Sequence, residues 1–261
     1  NANFTGTSEF NDISLNGKIN EVIIQSKEAE HNLVLGNKQI LAPIGNHNVG
    51  FGPKVLGSNT DLTTDQIKYN SAFGSVALGN LTTGDYNTAM GYNSLKNTTT
   101  GINNTAVGAL SLTANITGNN NIGIGVNALE KNQSGSRNVA IGKQSLQHNL
   151  STIGNTAIGY QSLHHNKGTY NIGIGHMAGS DISGVITENI FIGSQTGFDN
   201  SDNVYNKSIA LGFKSKITSS KQIMLGTSDM HVKCPGNVSI DGIINNGTWN
   251  GSSIDDSYIT S

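Results

Sequence analysis

Residues Asn104–Gly125 read NTAVGALSLTANITGNNNIGIG, a stretch that opens and closes with the same kind of five-residue phrase. Each phrase starts at an Asn, continues through small and apolar residues, and ends at a Gly. The six clearest copies close at glycines that recur with a nearly constant spacing: Gly91, Gly108, Gly125, Gly142, Gly159 and Gly175. Such a fixed period is the signature of a stack of similar structural units.

Weaker copies of the phrase extend the repeat in both directions. They bring the total to twelve and close at Gly36, Gly52, Gly79, Gly193, Gly212 and Gly226. We therefore expect a repeat body over residues 31–230, preceded by an N-terminal β-hairpin or neck region at 1–30. Short strands at 231–261 are expected to lead into the next segment. The spacing fails once, which predicts an irregular insertion at 53–74.

The length of the repeat decides the fold class. Helical solenoids use units of more than about thirty residues, so a unit of about 17 residues is too short for them. As extended chain, a unit of this length covers about 56 Å, enough for one flattened turn with two short faces. The sequence thus predicts an all-β protein, a β-solenoid with one short coil per repeat.

Alternation within the phrase predicts which side chains fill the coil. Residues two apart share one face of a strand, so the apolar or Thr residues three and one before the closing glycine, such as Val139 and Ile141, are expected to point inward. The small residue between them is then expected to point outward, where only close packing by another copy of the strand explains its size. These outward positions are Ala89, Ala106, Gly123, Ala140, Ala157 and Gly173.

Three further columns recur with the same period. The closing glycine is expected at a corner with positive φ. A Leu four positions after it is expected in the core, although the pattern leaves open whether this segment is a strand or a single helical turn: Leu95, Leu112, Leu129, Leu146 and Leu163. The Asn that opens each phrase is expected to form a ladder of side-chain amides between coils: Asn87, Asn104, Asn121, Asn138, Asn155, Asn171 and Asn189.

Composition argues against several classes of function. Only 12% of the residues are charged, the net charge is −2, and Arg137 is the sole arginine, so no nucleic-acid partner is expected. Glu130 is the only acidic residue between Asn87 and Ser180, which removes paired catalytic carboxylates from the regular body. We expect neither enzymatic activity nor a cofactor. Apolar runs are too short for membrane insertion.

Histidines are the one set of side chains with metal-binding chemistry in the regular body. His164 and His165 are adjacent, and His148 and His176 belong to neighbouring coils. They could form a metal site if three chains brought them together. Spacings typical of metal ligands, such as His-x-His, are missing, so loop surface is the expectation and no metal site is predicted.

The repeats resemble two families of trimeric fibre proteins. The phrase NVAIG at Asn138–Gly142 resembles the head repeats of trimeric autotransporter adhesins of the YadA type. The longer unit NTAIGYQSLHHNKGTYNIGIG at Asn155–Gly175 is similar to repeats of phage and large-virus tail fibres, which often precede a self-cleaving trimeric chaperone domain. The segments at 222–242 and 246–261 resemble the transitions that follow those repeats. The resemblance implies a left-handed β-roll in an intertwined homotrimer.

The resemblance also implies a function. It favours a structural shaft or head on the virion surface that projects and attaches to a host cell-surface glycan or protein. A bacterial adhesin head on the cell surface is the alternative, and a carbohydrate-active enzyme on a β-solenoid scaffold is an alternative of another class. An ice-binding solenoid would need an outward Thr in every coil, whereas Thr88, Thr105 and Thr156 are expected to point inward.

If attachment is the task, receptor-binding residues should lie where side chains depart from the repeat. Amphipathic rings suit sugar and protein surfaces. The candidates are aromatic and imidazole residues at loop positions where other coils carry unrelated residues: Tyr92, Tyr160, His164, His165 and Tyr170.

Overall fold

A computed structural model describes residues 33–35, 46–57, 67–182 and 184–229. The described part of the chain contains strands and turns and no helix. Its strands are Leu33–Leu35 (β1), Val49–Phe51 (β2), Ser71–Phe73 (β3), Thr88–Met90 (β4), Thr105–Val107 (β5), Ile122–Ile124 (β6), Val139–Ile141 (β7), Thr156–Ile158 (β8), Ile172–Ile174 (β9), Ile190–Ile192 (β10), Gly197–Phe198 (β11), Ile209–Leu211 (β12), Lys216–Ile217 (β13) and Ile223–Leu225 (β14).

Twelve of these strands form one parallel sheet in chain order. The order is β1 to β10, then β12 and β14, while β11 and β13 pair separately. Each strand lies in register with the next copy of the phrase, so that Ala140 of β7 lies opposite Gly123 of β6 and Ala157 of β8. One strand per repeat, each paired with its sequence neighbours, confirms the predicted all-β solenoid.

Each strand of the large sheet from β2 to β14 ends at a glycine corner with positive φ. Gly108 has φ of 126°, and a Cβ atom added to it would lie 2.7 Å from the carbonyl oxygen of Gly125 in the next coil. Both the backbone conformation and the close approach of the next coil therefore require glycine. The predicted positive φ at the closing glycine is confirmed.

In the coils that begin at Gly91 to Gly175, the segment after the corner is neither strand nor helix. Gln144 and Leu146 have φ of 60° and 47°, in the left-handed region that non-glycine residues rarely adopt. Their backbone amides donate hydrogen bonds to the coils on opposite sides. Gln144 N donates to Val126 O of the preceding coil at 2.9 Å, and Leu146 N donates to Ser162 O of the following coil at 3.0 Å. A chain of turns thus forms the second wall of the coil.

The predicted orientation of the strand is wrong. Ala140 is fully buried, whereas Ile141, expected in the core, is 36% exposed and points outward. In the three-residue strands from β2 to β12, only the middle residue faces the interior, because the opposite wall is close. A Cβ atom on Gly123 would lie 2.6 Å from Ser111 Oγ and 3.3 Å from Leu112 Cδ1, so the interior has no room for branched side chains here.

The small residues in the middle of the strands, expected on the outside of the coil, point inward. Three alanines besides Ala140 that were expected outside are fully buried: Ala89, Ala106 and Ala157. The predicted core leucines are confirmed, each with no exposed surface: Leu95, Leu112, Leu129, Leu146 and Leu163. The core of a regular coil is therefore one small residue from the strand facing leucines of the turn wall.

One copy of the phrase was misplaced by sequence reasoning. The copy closing at Gly79 is not a strand; β3 closes instead at Gly74, one repeat length before Gly91, and pairs with β4. Buried Leu78 takes the turn-wall position that Leu95 takes one coil later. The error arose because the turn sequence SVALG imitates the phrase.

Parts of the segment 53–74, which was predicted to be an irregular insertion, belong to the regular solenoid. Residues 53–57 and 70–74 follow the solenoid pattern, with Leu56 buried at the turn-wall position and β3 in the sheet. Residues 58–66 between them lie outside the described part of the chain. So do the predicted N-terminal and C-terminal regions at 1–30 and 231–261.

Candidate functional site

A fully satisfied amide ladder holds the coils at a fixed spacing. The Asn104 amide nitrogen donates to Asn87 Oδ1 at 3.1 Å and to Gly118 O at 2.8 Å. Its Oδ1 accepts the backbone N–H and the amide of Asn121, at 3.0 and 3.1 Å. Both donors and both acceptor sites are therefore used, and the side chain is fully buried. The predicted Asn ladder is confirmed.

A second buried ladder escaped the sequence analysis. Asn132 donates to Asn115 Oδ1 at 2.9 Å, and Asn149 donates to Asn132 Oδ1 at 2.9 Å. These residues lie seven positions after the closing glycines. Their spacing of one repeat is the signal that could have revealed them.

The outer face of the large sheet carries two columns of uncharged side chains. The column from the last residue of each strand is apolar throughout β2 to β14: Phe51, Phe73, Met90, Val107, Ile124, Ile141, Ile158, Ile174, Ile192, Leu211 and Leu225. At a strand spacing of about 4.8 Å these eleven side chains form a stripe about 48 Å long. A contiguous exposed apolar surface of this extent is typical of an interaction site.

The first residue of each strand forms the other outward column. It includes Thr88, Thr105 and Thr156. These residues were expected to point inward, which was the argument against an ice-binding face, and that expectation is wrong. Thr nevertheless occupies only three of the eleven positions from β2 to β14 in the large sheet, and Ile or Val occupies seven. The column therefore lacks the Thr in every coil that such a face requires.

Three histidines meet on the turn wall of a single chain. One ring nitrogen of each of His148, His164 and His165 lies within 4.8 Å of the others. His148 and His165 occupy the same position in adjacent coils, the sixth after Gly142 and Gly159, and their ring centroids are 4.8 Å apart. From the sequence, three chains were expected to be needed to bring these histidines together. The spacing between adjacent coils instead brings them together within one chain.

Polar residues of the preceding coils hold His164 in place. Its Nε2 lies 2.7 Å from Gln147 Oε1, and the Gln147 amide nitrogen donates to Glu130 Oε2. These three side chains occupy the same position in successive coils. The result is a carboxylate–amide–imidazole chain across the turn wall.

Two of the three histidines, His148 and His164, favour the neutral imidazole form. Burial lowers the pKa of His164 to about 4, helped by repulsion from His165 and His148. Burial also lowers the pKa of His148, with repulsion from Lys131 and His165 as further causes. Neutral imidazole is the form that binds metal ions.

The five candidate receptor residues do not form one site. Tyr160 stacks on His176 with ring centroids 5.3 Å apart, and His164 and His165 are in contact, but no ring contact in the described part of the chain joins the tyrosines to the histidine cluster. Tyr92 lies four coils before Tyr160. All three tyrosines are exposed, including Tyr170, whose ring covers Gly154.

An exposed column of stacked rings was not foreseen. Tyr69 lies between His47 and Tyr86, with centroid distances of 4.9 and 4.8 Å. Tyr170 occupies the equivalent position further along, directly before the ladder Asn. The column was missed because the copy of the phrase assigned to Gly79 gave the wrong coil boundaries. With the strand ending at Gly74, Tyr69 and Tyr86 are one repeat apart.

A cavity of about 380 Å³ lies beside the smaller sheet. Its lining includes two carboxylates, Asp181 and Asp199, and the cation Lys216. Both carboxylates are already engaged: Asp181 accepts from Ser180 Oγ at 2.9 Å, and Asp199 from Asn200 N at 2.9 Å. An enzymatic function, the alternative to a fibre, would depend on this cavity.

No family model matches the chain, and no curated protein or solved structure matches it either. Among the described residues there is no helix long and apolar enough to cross a membrane.

Proposed function

We propose that the chain is one subunit of a homotrimeric structural fibre, a shaft or head of the left-handed β-roll type. The observation that carries the proposal is the apolar stripe on the outer sheet face. Isolated apolar residues on a surface need no explanation, but a stripe that includes every strand from β2 to β14 in the large sheet does. Covering the stripe with other copies removes it from water.

A second copy of this chain is the partner that fits best. The stripe repeats once per coil, so an identical stripe has the same spacing and can interdigitate along its whole length. Neither outward column carries a charged residue between β2 and β14, so close approach buries no unpaired charge. The number three and the intertwined arrangement come from the resemblance to tail-fibre and YadA-type repeats.

The fibre would project from a surface and attach to a host. A virion or phage is the favoured origin, and a bacterial adhesin head would use the same trimeric architecture. Three equivalent weak sites on one rod gain affinity through multivalency. A host cell-surface glycan or protein is the expected ligand.

Light scattering on the purified chain tests the assembly. The expected mass is three times that of the 27.3 kDa chain. Ile141→Lys places a charge in the middle of the stripe and should dissociate the trimer. Val126→Lys is the matched control, because Val126 is also exposed but lies after the Gly125 corner, at a position where the next coil naturally carries Lys143. Its mass should stay trimeric.

Two outcomes would contradict the proposal. A monomeric wild type at micromolar concentration would leave the stripe uncovered and remove the argument for a fibre. An Ile141→Lys variant that remains trimeric would place the contact elsewhere. Cleavage of host polysaccharides by the wild type, lost on Asp181→Asn, would favour the enzymatic alternative.

A further inference from the structure

We infer that His148, His164 and His165 of one chain form a binding site for a divalent transition-metal ion such as Zn²⁺. The inference is independent of the fibre proposal, because all three ligands come from a single solenoid wall. Imidazole suits zinc, copper and nickel, and three histidine ligands with an open fourth position are an established zinc geometry.

The distances permit the site with small adjustments. Tetrahedral Zn²⁺ with Zn–N bonds of about 2.0–2.1 Å places its ligand nitrogens about 3.4 Å apart. The three ring nitrogens already lie within 4.8 Å of one another, so each has to move by about 1 Å or less. His148 and His164 are half-buried while His165 is exposed, which leaves a path for the ion from solvent.

The scaffold presents the ligands rigidly. His148 and His165 are each followed by an Asn at the position of the second ladder, Asn149 and Asn166, and both of these are fully buried. Leu163 beside His164 is a buried core residue. The backbone that carries the three rings is therefore fixed by hydrogen bonding and packing on its inner side.

The hydrogen-bond chain leaves one His164 nitrogen available for metal. Glu130 only accepts, so the Gln147 amide nitrogen must face it, and Gln147 Oε1 is left to accept from His164 Nε2. Gln144 Nε2 also donates to this oxygen, at 3.1 Å, which supports the same orientation. His164 thus carries its proton on Nε2, with a lone pair on Nδ1. Such a supporting chain is typical of metal-binding histidines.

Lys131 competes with the ion. Its Nζ lies 3.4 Å from His148 Nδ1, and since Lys only donates, it occupies a ring lone pair that a metal could use. Lys167 adds a second positive charge near His148, while Glu130 and Asp181 contribute negative charge near His148 and His164 respectively. Removing the Lys131 charge should therefore tighten metal binding.

Titration of Zn²⁺ into the untagged full chain, followed by calorimetry, tests the site. We expect one ion per chain, with affinity reduced more than about tenfold in His148→Ala and in His165→Ala. His176→Ala is the matched control, since His176 stacks on Tyr160 outside the cluster and its loss should leave the affinity unchanged. Co²⁺ should give the visible absorption of a tetrahedral ion.

The Lys131→Gln variant gives a more specific test, because its Zn²⁺ affinity should rise. A site built as described binds Zn²⁺ more tightly in this variant than in the wild type, a gain that loss of structure would not produce. Weak Zn²⁺ binding that is unchanged in a folded His148→Ala, His165→Ala double variant would overturn the inference. One ion per three chains would also overturn it, because the ligands would then come from different subunits.

Discussion

Phe191 occupies space that Gly179 leaves open in the core. In the regular coils a small residue in the strand faces a Leu four positions after the corner, but the coil that begins at Gly175 has Gly179 at the Leu position, and the next strand has Phe191 at the small position. A Cβ atom on Gly179 would lie 2.8 Å from Phe191 Cδ2. The two departures from the repeat compensate each other.

Restoring the Leu at this position alone should destabilise the fold. Gly179→Leu overpacks the site against Phe191 and should cost about 1–3 kcal/mol of unfolding free energy. Phe191→Ala alone leaves a cavity and should cost about 3–5 kcal/mol. The double variant restores the regular pair and should be more stable than Phe191→Ala, measured by denaturant unfolding.

The backbone conformation of this site does not limit the test. Gly179 has φ of 62°, and Leu146 adopts φ of 47° at the equivalent position. Additive losses in the double variant would show that the two residues do not share space.

Leu146 and Ile141 should respond differently to truncation, because one lies inside the coil and the other outside it. Leu146→Ala removes a fully buried side chain and should cost about 2–5 kcal/mol at every protein concentration. Ile141→Ala should act through association, so its melting temperature should approach that of wild type as concentration falls. Thermal melts over a hundredfold concentration range measure both. Equal concentration dependence of the two variants would contradict the assignment of faces.

The Asn ladder should not tolerate a carboxylate. In Asn121→Asp the lost amide no longer donates to Asn104 Oδ1 or Gly135 O, and a negative charge faces both oxygens. We expect a loss of more than about 3 kcal/mol at neutral pH. The loss should shrink in acid, because a protonated carboxyl can donate again. Asn120→Asp, an exposed neighbour with the same chemical change, should be nearly neutral.

Attachment through the loop rings can be tested on the folded protein. Tyr160→Ala, His164→Gln and His165→Ala together should leave melting nearly unchanged and weaken binding to host cells. Gln is used at His164 because the preceding coil carries Gln147 at that position, in the same hydrogen-bonded column. Phe213→Ala is the control, because it removes an exposed ring that is not a candidate and that follows its corner glycine as Tyr160 does. Undiminished cell binding by the triple variant would place the receptor site elsewhere.

Several features could be predicted from the sequence because they depend only on the period. A side chain that recurs once in every repeat meets its own copy in the next coil, which is why the Asn ladder, the Leu column and the glycine corners were found. The same rule applied to His148 and His165 would have found the histidine cluster within one chain. It was missed because metal-ligand spacing was sought along the chain instead of across coils.

The direction of the strand was decided only by the tertiary structure. Alternation of the kind in Val139, Ala140 and Ile141 separates two faces but does not say which is inside, and assigning apolar residues to the core assumed a thick coil. The wall that carries the leucines is too close to admit more than Ala or Gly opposite it in a regular coil. The larger apolar side chains are therefore forced outward, because interior volume, and not hydrophobicity alone, selects the residues that fill a solenoid.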